Sequence, residues 1–184
     1  TAASKDIAMI FVNTNLAAAA GAVLAVFTSW VKFGKPDASM SLNGALAGLV
    51  AITAPCANVL PLSAVIIGAI AGVIVVLSVV FFDRIKVDDP VGAISVHGVN
   101  GAWGTLAAGL FNMGGTSASI IGVQVLGIVV CFVWTFCTAF VLFKILDKTI
   151  GLRGSPQEEA EGLDFGEHGG IAYPDFEVSA YAQR

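Results

Sequence analysis

Charged side chains are scarce in this chain. Lys, Arg, Asp and Glu make up 12% of its 184 residues, and 57% of the residues are hydrophobic. Soluble domains carry about 25% charged residues, and the mean hydropathy here is +0.87. A soluble domain of this length could not bury so much apolar surface, so the composition excludes that class and predicts a membrane protein.

Basic charge is too sparse for nucleic-acid binding, and no nucleic-acid partner is expected. The net charge is −4, and it is unevenly distributed. Residues 151–184 hold seven acidic residues against two arginines, a balance of −5, so residues 1–150 sum to +1. The chain is therefore predicted to be an apolar body, residues 1–150, followed by an acidic polar tail, residues 151–184.

Cysteine and histidine are also few. Cys56, Cys131 and Cys137 form no CxxC pair, and there are two histidines, His97 and His168. No Cys/His cluster has the spacing of metal ligands, so neither a metal site nor a cofactor is expected. The cysteines are expected to be free, small apolar side chains. No catalytic cluster is apparent either, so no enzymatic activity is expected.

Five apolar segments approach the length of about 20 residues that crosses a bilayer. They cover about residues 7–31, 42–54, 62–82, 91–111 and 119–146. The predicted fold class is an all-α, polytopic membrane protein whose transmembrane helices lie within residues 1–150 and whose tail is residues 151–184.

Basic residues mark alternate loops between these segments. Lys32 and Lys35 separate the first two segments, and Arg84 and Lys86 separate the third from the fourth. The other two loops contain no Lys or Arg. Cytoplasmic loops carry the excess of basic residues, so a multi-pass protein of the cell membrane with a cytoplasmic C-terminus is expected.

Small residues are spaced so that these helices can pack closely. Lipid supplies no hydrophobic drive for helix association, so close backbone approach stabilises the bundle. Two GxxxG pairs and three glycines of the fourth segment are predicted packing positions: Gly44 and Gly48, Gly68 and Gly72, and Gly98, Gly101 and Gly104.

His97 is the ionisable residue of the fourth segment, since residues 91–111 contain no Asp, Glu, Lys or Arg. Ionisable groups at membrane depth are costly and are functional candidates, and histidine exchanges its proton near neutral pH. The competing interpretation is a neutral imidazole hydrogen-bonded inside the bundle. Helical spacing places small residues on the face of His97, with room for a lumen or a neighbouring helix: Ala93, Asn100, Gly101, Gly104 and Ala108.

The motif Asp88-Asp89-Pro90, followed by Val96-His97-Gly98-Val99, resembles a late transmembrane segment of the ammonium transporter (Amt/Mep/Rh) family. Asn13-Thr14 and the alanine run after it resemble the family's seventh helix, and residues 41–53 resemble the eighth. Tail motifs around Gly151-Leu152-Arg153 and Glu167-His168-Gly169 resemble the cytoplasmic tail of the Amt branch.

The resemblance implies an eleven-helix subunit, built from two inverted five-helix repeats and a last helix, that forms a homotrimer with one pore per subunit. By that comparison the chain corresponds to helices seven to eleven and the tail. It is expected to be part of a longer subunit whose N-terminal half is missing here; a separate complementary chain is the alternative.

The resemblance also implies site residues. His97 matches the second of two pore histidines that face each other across a narrow hydrophobic lumen, and the first would lie in the missing half. Ala93 and Thr53 match pore positions. From the residues alone, Asp88 and Asp89 are candidates to cap the fourth helix, because the positive end of the helix dipole favours carboxylates. Gly92 stands where some members of the family carry an acid.

The tail positions Gly162, Asp164, His168, Gly169 and Tyr173 match a regulatory segment that can dock PII-type signalling proteins. From the residues alone, the tail is equally well explained as a solvated cytoplasmic segment. Gly170 replaces a Glu that is often found after His168-Gly169 in the family.

The expected function is ammonium or ammonia transport, with His97 handling ammonia or a proton. Two alternatives stay open. An ammonium sensor could use the same fold, with occupancy rather than flux as its output. An intramembrane redox protein with a His-ligated haem would need two intramembrane histidines, and the chain has one in its apolar segments.

Overall fold

The structure, a computed structural model, describes residues 6–170, apart from the side chains of residues 160, 161 and 165. All regular elements of the described part are helical, which confirms the predicted all-α class. In chain order they are α1 (Asp6–Phe33), α2 (Ala38–Thr53), α3 (Pro61–Arg84), a π-turn (Ile94–Val99) that leads into α4 (Asn100–Leu110), α5 (Ala118–Thr149), α6 (Pro156–Glu161) and α7 (Leu163–His168).

Each of the five predicted apolar segments corresponds to one helical stretch, with both ends displaced by four residues or fewer. Three of these helices, α1, α3 and α5, are long and apolar enough to cross a membrane. α2 is shorter, at 16 residues, and the fourth segment is divided between the π-turn and α4. The chain forms two compact units, Thr1–Cys131 and Phe132–Arg184.

In the first unit, α1 packs against both α2 and α3 through one completely buried stripe. Its residues recur at every fourth position and are Asn13, Ala17, Gly21, Ala25 and Ser29. Residues four apart lie on one face of a helix. Because three of the five are Ala or Gly, both neighbouring helices can approach the backbone of α1.

The predicted GxxxG pairs meet this stripe from both sides. A Cβ atom added to Gly48 or Gly68 would come closer than 3.0 Å to backbone atoms of Ala17, and one added to Gly44 or Gly72 would meet the carbonyl oxygen of Gly21 equally closely. We call this three-helix contact between α1, α2 and α3 the glycine seam. It is held by backbone atoms in direct contact rather than by interlocking side chains.

Polar side chains anchor both ends of the buried stripe. The Asn13 amide Nδ2 donates hydrogen bonds to the carbonyl oxygens of Cys56 and Val59, both at 2.9 Å, in the connection between α2 and α3. At the other end the Ser29 hydroxyl oxygen accepts a hydrogen bond from the Asp37 N–H, at 3.3 Å. α1 therefore fixes the loops at both ends of α2.

The three glycines of the fourth segment behave differently from one another. A Cβ on Gly104 would clash with the backbone of Ala51, so Gly104 is a close contact between α4 and α2. Within the described residues Gly98 and Gly101 make no such close contact, so their packing role stays a prediction. A Cβ there would meet only Ile94 Cγ2 at 3.8 Å and Val50 Cγ1 at 3.9 Å, which are ordinary contact distances.

In the second unit, Ser155 and Glu158 form a capping box at the start of α6. The backbone N–H of Ser155 donates to the Glu158 carboxylate at 2.7 Å, and the Ser155 hydroxyl accepts from the Glu158 N–H at 3.2 Å. The backbone hydrogen bond from Ser155, and then the bond with its side chain, hold the pKa of the exposed Glu158 carboxyl below its ordinary value of 4.5.

This capping box makes α6 sensitive to acid. A carboxyl with a lowered pKa stabilises the folded form above its ordinary pKa and loses that contribution as pH falls through the lowered value. We therefore expect amide protection across α6 to be constant at neutral pH and to fall once the pH drops below about 4.5. Hydrogen exchange measured on wild type and on Glu158→Gln checks this, because glutamine keeps the box without titrating. An acid-dependent loss of protection in Glu158→Gln of the same size would contradict it.

Candidate functional site

His97 lies in the middle of the π-turn, and its side chain is exposed on the surface of the first unit. π-turns are rare single-turn features that occur often at functional sites, and they place one extra residue in the helical turn. The residues around His97 on this surface are apolar or small. Val91 is 72% exposed and Ile94 40% exposed, and Ala93 and Gly98 are exposed as well.

We call this surface the histidine face and define it as Val91, Ala93, Ile94, His97 and Gly98. It presents one imidazole on an otherwise apolar patch. Ala93 lies one turn before His97, so these two predicted pore positions come together on the same helix. The histidine face therefore fits a surface that lines a narrow apolar space or meets another helix.

The carboxylate of Asp89 holds the start of the π-turn. Its oxygens accept hydrogen bonds from the backbone N–H of Ile94 at 3.1 Å and of Ser95 at 3.3 Å, and from the Ser95 hydroxyl at 3.4 Å. A carboxylate is favoured there because the first N–H groups of a helix lack backbone partners and carry positive partial charge. Its neighbour Asp88 is exposed. The position of the turn is thus set from its N-terminal end.

Gly92 has a structural reason to be glycine. Its φ is +71°, a left-handed conformation that side chains rarely adopt. A Cβ there would also lie 3.0 Å from the Nδ2 atom of Asn43. The glycine lets the chain turn sharply from Pro90 into the π-turn.

An open cavity of about 410 Å³, lined by both polar and apolar residues, adjoins this turn. Its walls include Asn43, Asp83, Lys86, Asp88 and Asp89. It lies at the end of α3 that carries basic residues, which is the predicted cytoplasmic side. The cavity reaches the π-turn through Asp89 and Gly92, whereas the histidine face itself is apolar.

Asn100, at the C-terminal end of the π-turn, is completely buried. Its Nδ2 donates a hydrogen bond to the carbonyl oxygen of Ser95 at 2.8 Å. Within the described residues, its Oδ1 atom has no hydrogen-bond partner. The prediction that Asn100 and Gly104 share the face of His97 is wrong, because both are buried while His97 is exposed. The π-turn shifts the register by one residue, so regular helical spacing fails across it.

Thr53 is the last residue of α2 and is not part of the histidine face. It is exposed, and its hydroxyl donates to the carbonyl oxygen of Leu49 within the same helix, at 2.7 Å. The structure therefore provides no contact that links Thr53 to His97.

Trp103 is a packing residue that the sequence did not single out. Its indole Nε1 donates to the carbonyl oxygen of Ile67 in α3, at 3.1 Å, and its ring meets Phe111 edge-on with centroids 6.5 Å apart. A buried indole needs such a partner for its N–H. Trp103 thus ties α4, and with it the π-turn, to α3.

The tail residues form a compact end to the second unit. Gly162 ends α6 with φ +99°, and its N–H donates to the Glu158 carbonyl oxygen at 2.9 Å. Asp164 lies in the first turn of α7, and His168 and Gly169 are exposed where α7 ends. Tyr173, the remaining predicted tail residue, lies outside the described residues.

Comparison with known proteins identifies the family. The sequence model of the Ammonium Transporter Family matches residues 1–173. The chain belongs to the ammonium transporter family. Ammonium transporter Amt2 of Archaeoglobus fulgidus is 48% identical to it in an alignment of 186 positions that covers 92% of this chain and 40% of Amt2. The ammonium transporter of Bacillus subtilis is 37% identical in an alignment of 177 positions that covers 90% of this chain and 44% of that protein.

Solved structures of the ammonium transporter family share the fold. A structure of a Sensor Amt Protein superposes with a TM-score of 0.84 at 38% identity, covering 90% of this chain and 43% of that one. The crystal structure of Candida albicans Mep2 superposes with a TM-score of 0.77 at 28% identity, covering 85% of this chain and 38% of Mep2. These matches confirm the all-α fold of a multi-pass membrane transporter. The chain spans about 40% of the length of the relatives it matches.

Proposed function

We propose that this chain forms one wall of a pathway for ammonium or ammonia across the membrane, with His97 as the polar group of that wall. The observation that carries the proposal is the exposure of His97 on an apolar surface, held there by a π-turn that Asp89 caps. Family membership supplies the substrate class, since the relatives are named ammonium transporters.

The chemistry of the substrate supports a histidine in an apolar wall. Removing the water from an ammonium ion in hydrocarbon costs several kcal/mol or more unless other groups replace it. Moving neutral ammonia from water into hydrocarbon costs far less free energy. A neutral imidazole offers one donor and one acceptor, so it can hydrogen-bond ammonia or pass on a proton. Once an opposite wall covers the apolar neighbours of His97, water is excluded from this space, which strengthens both interactions.

The opposite wall requires residues that this chain does not contain. We propose that the N-terminal half of the same subunit packs on the histidine face and supplies a second pore histidine. Ala93 belongs to the same wall as His97. Thr53 is proposed to lie nearer the outer end of the pathway, and its exposure at the end of α2 is compatible with that position.

The family resemblance supports three further proposals. The complete subunits form a homotrimer, the C-terminus is cytoplasmic, and the tail is regulatory. The proposed regulatory residues, which could receive a PII-type signalling protein, are Gly162, Asp164, His168, Gly169 and Tyr173. Exposure of His168 and Gly169 at the end of α7 leaves them accessible to such a partner.

A sensor is the second candidate function, and a specific observation favours it. The Sensor Amt Protein is similar to this chain over 90% of the length of this chain, with 38% identity. A sensor would bind ammonium at the same apolar wall and transmit occupancy to its tail, without requiring flux. Flux is therefore the property that separates the two candidates.

Uptake by the full-length protein tests the proposal. We expect cells that lack other ammonium transport routes to accumulate ammonium faster when they produce the protein, most clearly at mildly acidic pH, where little neutral ammonia diffuses through lipid. The same cells without the protein are the control. Binding of ammonium without any increase in uptake would contradict transport and favour the sensor.

A further inference from the structure

We infer that Asn100 is a positioning residue that sets the direction in which His97 projects. The inference rests on the proposed function of His97. Asn100 and Ser95 are both completely buried, and the 2.8 Å hydrogen bond between them connects the two ends of the turn that contains His97. His97 lies between them in sequence and is exposed.

This hydrogen bond joins two residues that are separated by the length of the π-turn. The Asn100 side chain bonds the carbonyl oxygen five residues earlier. In a regular α-helix, that carbonyl accepts the N–H of the residue four positions later, here Val99. The hydrogen bond from Asn100 instead spans five residues, the same interval as the backbone hydrogen bonds of a π-helix, so it stabilises this wider turn.

Ser95 is held from both sides. The Asp89 carboxylate binds its N–H and its hydroxyl, while Asn100 binds its carbonyl oxygen. With Ser95 fixed against the interior, the extra residue of the turn decides where His97 points. Tightening the turn to regular α-helix would rotate the following residues by one position, about 100°.

An asparagine at position 100 is an energetically unfavourable way to fill the interior. Burying a carboxamide whose oxygen has no partner among the described residues costs stability, and an apolar side chain of similar size would avoid that cost. The residue is thus better suited to holding a particular turn geometry than to stabilising the bundle.

Asn13 provides a matched control. It is equally buried, its Nδ2 also donates to backbone carbonyls, and its Oδ1 likewise has no partner in the described part of the chain. Its bonds go to the connection between α2 and α3. Asn100→Ala and Asn13→Ala therefore remove comparable buried amides, but only the first releases the π-turn.

The test compares transport of ammonium and methylammonium by the full-length protein. We expect Asn100→Ala to change the ratio of the two rates by about tenfold, in the direction that His97→Ala changes it, because the imidazole is displaced rather than removed and a misplacement of about 1 Å can cost up to about a hundredfold. Asn13→Ala should lower the amount of folded protein and leave the ratio unchanged. In the double variant His97→Ala/Asn100→Ala, the ratio should equal that of His97→Ala alone.

Each remaining outcome overturns one claim. An Asn100→Ala ratio equal to that of the parent or of Asn13→Ala overturns the positioning role. Additive effects in the double variant overturn it too, because Asn100 would then act on something other than His97. If His97→Ala itself leaves the ratio unchanged, the proposed function of His97 fails instead. Should Asn100→Ala not reach the membrane, Asn100→Ser, whose hydroxyl is too short to bridge the turn, is measured in the same way with the same expectations.

Discussion

Replacing Gly68 with alanine is expected to lower the stability of the folded protein by about 3 kcal/mol, the upper end of the usual cost of inserting a group into a packed interior. The added Cβ would come closer than 3.0 Å to the oxygen, Cα and carbonyl carbon of Ala17. All three are backbone atoms, so no rotamer change relieves the clash and α1 must move away from α3. We expect a lower melting temperature in detergent and a sharp loss of protein in the membrane.

Gly127 in α5 offers the matched control, because a Cβ there would meet no atom of residues 6–170 within 4 Å. Gly127→Ala makes the same chemical change in a helix without a clash, and alanine favours helix over glycine by about 1 kcal/mol. Its melting temperature should equal or exceed that of the parent. Equal stability of Gly68→Ala and Gly127→Ala would show that the glycine seam does not require backbone contact.

Replacing His97 with alanine is expected to abolish discrimination in transport. We expect the ratio of ammonium to K⁺ transport to fall about a hundredfold, the scale on which a positioned proton-transfer group acts. The reason is that alanine leaves the histidine face wholly apolar, with neither donor nor acceptor for ammonia. Uptake or current measured with each cation in turn provides the ratio.

His168 is the natural control for that experiment. It is exposed at the end of α7, in the second unit. His168→Ala removes the same side chain, and the ratio of ammonium to K⁺ transport should be unaffected. A His97→Ala protein that conducts ammonium and excludes K⁺ as the parent does would refute the role of His97.

The helices were predictable because their signals are local. Apolar runs of span length and breaks such as Asp88-Asp89-Pro90 place each helix end within a few residues of its position in the structure. The GxxxG pairs were visible for the same reason. Their partner, the buried stripe of α1, is less apparent in the sequence, although Ala17, Gly21 and Ala25 recur at the same four-residue spacing as those glycine pairs.

The spacing of residues in the sequence does not predict the π-turn, because an analysis of helical spacing assumes 3.6 residues per turn throughout. This assumption misplaced Asn100 and Gly104 on the histidine face. A buried asparagine five residues after a serine is a weak signal, and it has meaning only once the fold shows that both are inside. His97 itself stands out in the sequence because charge is so scarce around it.

The glycine seam has a mechanical consequence. Where backbone touches backbone along α1, there are no side-chain rotamers whose switching could let one helix slide past another. A shear of α1 against α2 or α3 would drive Gly48 or Gly68 into the main chain at Ala17. These three helices should therefore move as one rigid body, and any opening or closing of the proposed pathway would come from parts attached to that body, such as the turn that carries His97.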